Sequence, residues 1–258
     1  MGTNFCLYPQ TIQASIPTPI HTRDTYKIMD QIQEFEQSIH YAFKNKDVLQ
    51  EALTHRSYLN ENPSWHLPHN ERLEFLGDAV LELIVTENLY HKYPDMQEGK
   101  LTSIRAALVN YQTLAKVAQQ VQLEKYLFLS KGEMKDTGKA REVILANAFE
   151  ALLGALYMDG GYDAVAFFIV EQVLVLADDI VANDSYRDAK SYFQEIAQDK
   201  IRVTPTYSVL KELGPDHKKE FVVGVFLKDK KIAEGTGTSK QEAEVDAAKN
   251  ALKSFQKS

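Results

Sequence analysis

Between residues 25 and 182, apolar side chains recur at intervals of three and four, and alternating strand patterns are almost absent. Residues 27–43, 47–55, 71–93, 101–121, 141–158 and 162–181 each carry that period, which confines this part of the chain to an all-helical domain. Asn62-Pro63, GEMKDTG at 132–138 and DGG at 159–161 read as the loops between helices. Past the polar stretch ANDSYRD the pattern changes. Residues 188–200 are helical, 206–210, 220–227 and 231–237 read as strands, and 239–255 form a closing helix. Ser239 and Glu242 should open that helix as a capping box. The expected organisation is multi-domain: an N-terminal extension over 1–24 with no sustained period, an all-α domain over 25–182, a linker over 183–187, and an α-β-β-β-α module over 188–258.

Charge follows the same division. Residues 188–258 hold 13 Lys and Arg against 11 Asp and Glu, a net of +2, while the remainder of the chain is at −9. The lone Cys6 has no intramolecular disulfide partner, which fits a reducing compartment. The first 24 residues lack the basic and apolar regions of a signal peptide, and no run of about 18 apolar residues occurs. A soluble cytoplasmic protein with no membrane association is expected.

The stretch NERLEFLGDAVLEL, 70–83, holds the sharpest chemical signal. At 100° per residue Glu71, Glu74 and Asp78 share an arc of about 60°, and Glu82 extends the stripe. Leu73, Phe75, Leu76, Ala79, Val80 and Leu83 cover the rest, so the helix should be largely buried. Such a stripe is more often the solvated face of an amphipathic helix. Here no basic residue on the stripe offsets the acids. Gly77 inside the helix costs about 1 kcal/mol relative to Ala, which points to close packing there. A second apolar helix, REVILANAFEALLGALYMD at 141–159, carries Asn147 and Glu150 as i, i+3 neighbours. Alone, that pair reads as a buried hydrogen-bonded couple. Joined to the stripe, it could complete a four-oxygen site for Mg²⁺. Zinc-type His or Cys spacing, a G-x-S-x-G elbow and a Gly-rich phosphate loop are all absent from the sequence.

LTHRSYLNEN, NERLEFLGDAVLEL, EGKLTSIRAALVN and GKAREVILANAFEALLGALYMD, in that order and followed by an α-β-β-β-α module, resemble bacterial ribonuclease III from Thr25 to Ser258. The resemblance implies an all-α endonuclease domain followed by a double-stranded RNA-binding domain. It further implies a homodimer that uses Mg²⁺, with Mn²⁺ as a substitute, to cut double-stranded RNA to 5'-phosphate and 3'-hydroxyl ends, as in processing of ribosomal and other precursors. Carried over by motif, the metal ligands are Glu74, Asp78, Glu150 and Asn147, with Asp78 and Glu150 central to catalysis. Glu71 and Glu98 fall on two auxiliary acidic positions, and Phe75 and Leu76 are candidates for the subunit contact or for ordinary core. The family pattern has aspartate where this chain has Asn147. That leaves two readings: an enzyme with weaker metal binding, or a double-stranded RNA-binding protein with impaired catalysis.

For the C-terminal module the resemblance implies recognition of A-form shape. Ser191, Gln194 and Gln198 form one polar helix face that would reach 2'-hydroxyls. Pro215 and His217 would enter a minor groove. Lys218, Lys219, Ser239 and Lys240 would face phosphates, the last two at a helix N-terminus. Gln241 and Glu244 stand beside Lys240 in place of further basic residues, so salt-sensitive binding of modest strength is expected.

Overall fold

The computed structural model describes residues 23–184, 186, 188–215 and 219–256. Most of the expected N-terminal extension, together with His217 and Lys218, therefore lies outside the described residues. Among the described residues eight α-helices come first: α1 (Arg23–Ser38), α2 (Lys46–Leu53), α3 (Arg56–Glu61), α4 (Glu71–Lys92), α5 (Glu98–Val109), α6 (Tyr111–Gln120), α7 (Lys139–Gln172) and α8 (Ala177–Ala182). Then follow α9 (Ala189–Ile201), β1 (Thr206–Leu213), β2 (Glu220–Leu227), β3 (Lys230–Gly237) and α10 (Lys240–Gln256). Each part has its own core. Phe35, Leu53, Leu81, Ile84, Leu108 and Phe149 lie in the helical one. Phe193, Ala197, Val225 and Ala247 lie in the other, where α10 covers an antiparallel sheet of order β1-β2-β3 and packs on α9. Among the described residues, no helix is long and apolar enough to cross a membrane.

Two departures from the sequence expectation have local causes. The helix expected over 101–121 is broken at Asn110, whose extended backbone ends α5 and whose Oδ1 accepts the Thr113 amide at 2.9 Å to open α6. α2 stops at Leu53 because Thr54 bridges to Phe128 and the His55 ring accepts the Ser57 amide, starting the unanticipated α3. The interruption expected at DGG is present, compressed to a kink: the backbone leaves helical geometry at Gly161, whose φ of 75° and ψ of −169° only glycine adopts readily.

α4 and α7, which carry the acidic residues, form the most extensive helix pair of the first domain. α4 is less buried than expected. Leu73, Val80, Leu81, Ile84 and Val85 face the core, but Phe75 is 82% exposed and Leu83 is 59% exposed. Both project from the side of α4 that α7 and the core leave open. Leu76 is half-buried against the core.

Candidate active site and nucleic-acid interface

The acidic centre is built on a contact between main chains. A Cβ at Gly77 would lie 1.7 Å from the Glu150 carbonyl oxygen, and one at Gly154 would lie 2.2 Å from the Leu73 carbonyl oxygen. α4 and α7 therefore cross with no side chain between them. This close approach explains the glycine in an otherwise strong helix. It also sets Glu74 and Asp78, a turn or less from Gly77, against Asn147 and Glu150.

The electrostatics report the same convergence. Burial pushes the Glu150 carboxyl up to about 7, and the charges of Asp78 and then Glu74 add to the effect. Glu74 is raised by burial, then by Glu71 and Asp78, while a hydrogen bond from Asn147 pulls the other way. The two ends of the stripe have cationic partners from other elements. Arg56 Nη1 of α3 lies 3.0 Å from Glu71 Oε1, and Arg105 Nε of α5 lies 2.8 Å from Glu82 Oε2. Glu74 and Asp78, in the middle, have no basic partner among the described residues. The stripe is thus offset at its ends and bare at its centre, a division invisible in the order of residues alone.

Glu74, Asp78, Asn147 and Glu150 are brought together, with Glu71 at their edge. Glu98 is not among the charges acting on Glu74 or Glu150; it opens α5 and accepts Thr102 Oγ1 at 3.1 Å. Among the described residues, no three His, Cys, Asp or Glu side chains stand close enough to hold a metal ion as they are. Like charges so placed repel one another. The chemistry of the set fits a hard divalent cation nonetheless. Its donors are all oxygen, three can carry charge, and Glu150 sits half-buried in surroundings short of positive charge.

In the second domain Ser191, Gln194 and Gln198 are exposed along one face of α9, and Pro215 is exposed between β1 and β2. Ser239 caps α10, its Oγ accepting the Glu242 amide at 3.2 Å. The reciprocal arm of the expected capping box is displaced: Glu242 Oε2 accepts the Thr238 amide at 3.1 Å, one residue upstream of the cap. Lys139 of α7 also reaches Glu242, at 2.9 Å. Lys219 and Lys240 both meet Glu212 of β1, at 3.3 and 3.5 Å. Sequence reasoning did not single out Glu212, Arg56, Arg105 or Gly154. Gly154 alone left a trace, as a second glycine in a long apolar helix.

An acid-lined helical crossing joined to an α-β-β-β-α module defines a two-domain ribonuclease, and comparison with known families gives the same division. The Ribonuclease-III-like family matches residues 45–176, and the double-stranded RNA binding motif matches residues 189–254. Ribonuclease 3 of Nitratiruptor sp. is 43% identical over 225 residues, covering 87% of this chain and 97% of the relative. Ribonuclease 3 of Desulforamulus reducens is 45% identical over 223 residues, covering 86% and 91%. The solved nuclease domain of ribonuclease III from Campylobacter jejuni, from a study of flexibility in its dimer-forming region, aligns with a TM-score of 0.50 at 40% identity, covering 55% of this chain and 94% of that one. The chain belongs to the ribonuclease III family.

Proposed function

We propose that the protein is a divalent-cation-dependent endoribonuclease that cuts double-stranded RNA to 5'-phosphate and 3'-hydroxyl ends. The observation that carries this is the convergence of Glu74, Asp78, Asn147 and Glu150 across the α4–α7 crossing, where Glu150 lacks compensating charge. Those four residues would hold Mg²⁺, or Mn²⁺ in its place. The bound cation supplies an activated water and stabilises the leaving 3'-oxygen. Glu74 and Asp78 approach from α4 and Asn147 and Glu150 from α7, so a cation would be held from two helices whose spacing is fixed by the Gly77–Gly154 contact. Glu71, held by Arg56, and Glu98 would act nearer the RNA cleft and the subunit contact.

A duplex has two strands, and each chain offers one such cluster, so the working unit is a symmetric homodimer. Phe75, exposed beside a groove lined by Val48, Leu73, Leu76 and Met158, suits a self-complementary contact. The Campylobacter jejuni study, whose subject includes a region involved in dimer formation, supports the same reading. Processing of ribosomal and other RNA precursors in the cytoplasm is the setting we assign.

Asn147 favours a second reading, a duplex-binding protein that no longer cuts. Incubation with a long duplex RNA and Mg²⁺ or Mn²⁺, beside a Glu150→Gln control, separates the two. Metal-dependent cuts that disappear in the control are expected. RNA that is retained by the protein but left whole would establish the second reading.

A further inference from the structure

Two of the three lysines that the RNA-binding reading assigns to phosphate are already shared by one carboxylate. Lys219 comes from the end of the β1–β2 connection and Lys240 is the first residue of α10, yet both ammonium groups converge on Glu212, one on each oxygen, at 3.3 and 3.5 Å. Glu212 lies opposite Phe221 in the β1–β2 register, and Lys240 also sits 5.6 Å from the centre of the Phe221 ring. The carboxylate is thus fixed on a strand and presents two oxygens to two cations, as a phosphate would. We propose that Glu212 is an intramolecular competitor for the phosphates of the duplex, setting how tightly this module holds RNA and how steeply that hold depends on salt. Glu212 acts through Lys219 and Lys240 and is a positioning residue.

Charge arithmetic gives the direction. Glu212, Lys219 and Lys240 together carry +1 where the lysines alone would carry +2. An arriving phosphate must share the ammonium groups with Glu212 and meets its negative charge within a few ångströms, well inside the Debye length of about 8 Å at physiological salt. Fewer counterions are then displaced from the RNA than two free lysines would displace. The consequence is a module that lets go of duplex readily, which suits an enzyme that must leave its products.

The inference rests on the reading of residues 188–258 as a duplex-binding module, and the test keeps the two apart. The full chain, in EDTA so that nothing is cut, is titrated against a duplex of about 20 base pairs, longer than the roughly 16 such a module spans. Titration is repeated over a series of salt concentrations, beside the Glu212→Gln variant and a Lys219→Ala/Lys240→Ala variant with and without Glu212→Gln. We expect Glu212→Gln to tighten binding about three- to five-fold at low salt, the scale of a surface charge interaction. The slope of log affinity against log salt should steepen by up to about one. In the lysine-free background the gain should fall by more than half. A merely structural role would shift the melting temperature and leave the salt slope alone. If the unaltered chain fails to retain duplex, the reading of the module falls and this proposal with it. If duplex is retained and Glu212→Gln leaves binding unchanged or weakens it, the proposal alone is overturned.

Discussion

Asn147 differs from the three carboxylates around it in bringing amide protons into the cluster, and it lowers the pKa that burial, Glu71 and Asp78 raise at Glu74. Asn147→Asp replaces a donor with a fourth like charge. Without metal the variant should melt at a lower temperature than the parent, because it adds like-charge repulsion to a half-buried site. With metal the order should invert, and half-maximal cleavage should need roughly ten-fold less Mg²⁺, the size of effect that one group around a metal exerts. Parallel melting curves and metal titrations check both halves. Equal behaviour of the two proteins in both would remove Asn147 from the site's account. At this scale sequence spacing reveals partners within one helix, since intervals of three and four put Glu71, Glu74 and Asp78 on one face. It does not reveal Arg56, Arg105 or Glu212, whose partners come from other elements and depend on tertiary approach.

Among the elements, the α4–α7 crossing is the least forgiving. A Cβ at residue 77 would overlap the Glu150 carbonyl, so Gly77→Ala must push the helices apart, although alanine is the better helix former. The expected loss is at or beyond about 3 kcal/mol, the upper end of ordinary overpacking, measured by denaturant unfolding. A loss below about 1 kcal/mol would mean the helices are not held there. A second device ties the N-terminal side of the domain to α7. Asp159 accepts Tyr41 Oη at 2.8 Å and the amides of Lys44 and Asn45 at 3.0 and 2.9 Å. Burial raises its pKa, but the bonds from Asn45, Lys44 and Tyr41 and the charge of Lys44 leave it below the ordinary 3.8. A depressed carboxyl contributes stability that is present above its unfolded value and lost as pH falls through its folded value. Asp159→Asn should therefore cost about 1 kcal/mol at neutral pH, the worth of a hydrogen bond, and nothing once acid has protonated the parent. Unfolding series at neutral pH and near pH 2 check this, and a cost that persists in acid would rule out the charged bonds as its source. α1 and α4 were legible because each buries a stripe, and α7 because its apolar run is long, buried on every side from Ala151 to Leu156. The break at Asn110 and the short α3 were not, because a single cap decides each.

At the scale of the whole molecule the surface around Phe75 leads outward. A phenylalanine that is 82% exposed contributes little to its own fold, so Phe75→Asp should leave helix content unchanged. If the residue anchors a dimer, the same change should weaken self-association at least about 100-fold, as loss of a central aromatic does, and duplex cutting should fall with it. Sedimentation of parent and variant decides the matter; a parent that sediments as a single chain would end the dimer proposal. The division into two domains could be read from the change of period near residue 182, because each part gathers a core from its own residues. The crossing at Gly77 and Gly154 has one more consequence. With carbonyl against Cα and nothing pliable between, the acidic centre should lack a local route to opening, and hydrogen exchange should show its amide protons released only when the domain comes apart as a unit. Loss of the centre and loss of the fold should therefore be one event, with no softened intermediate in which the carboxylates have parted and the helices remain.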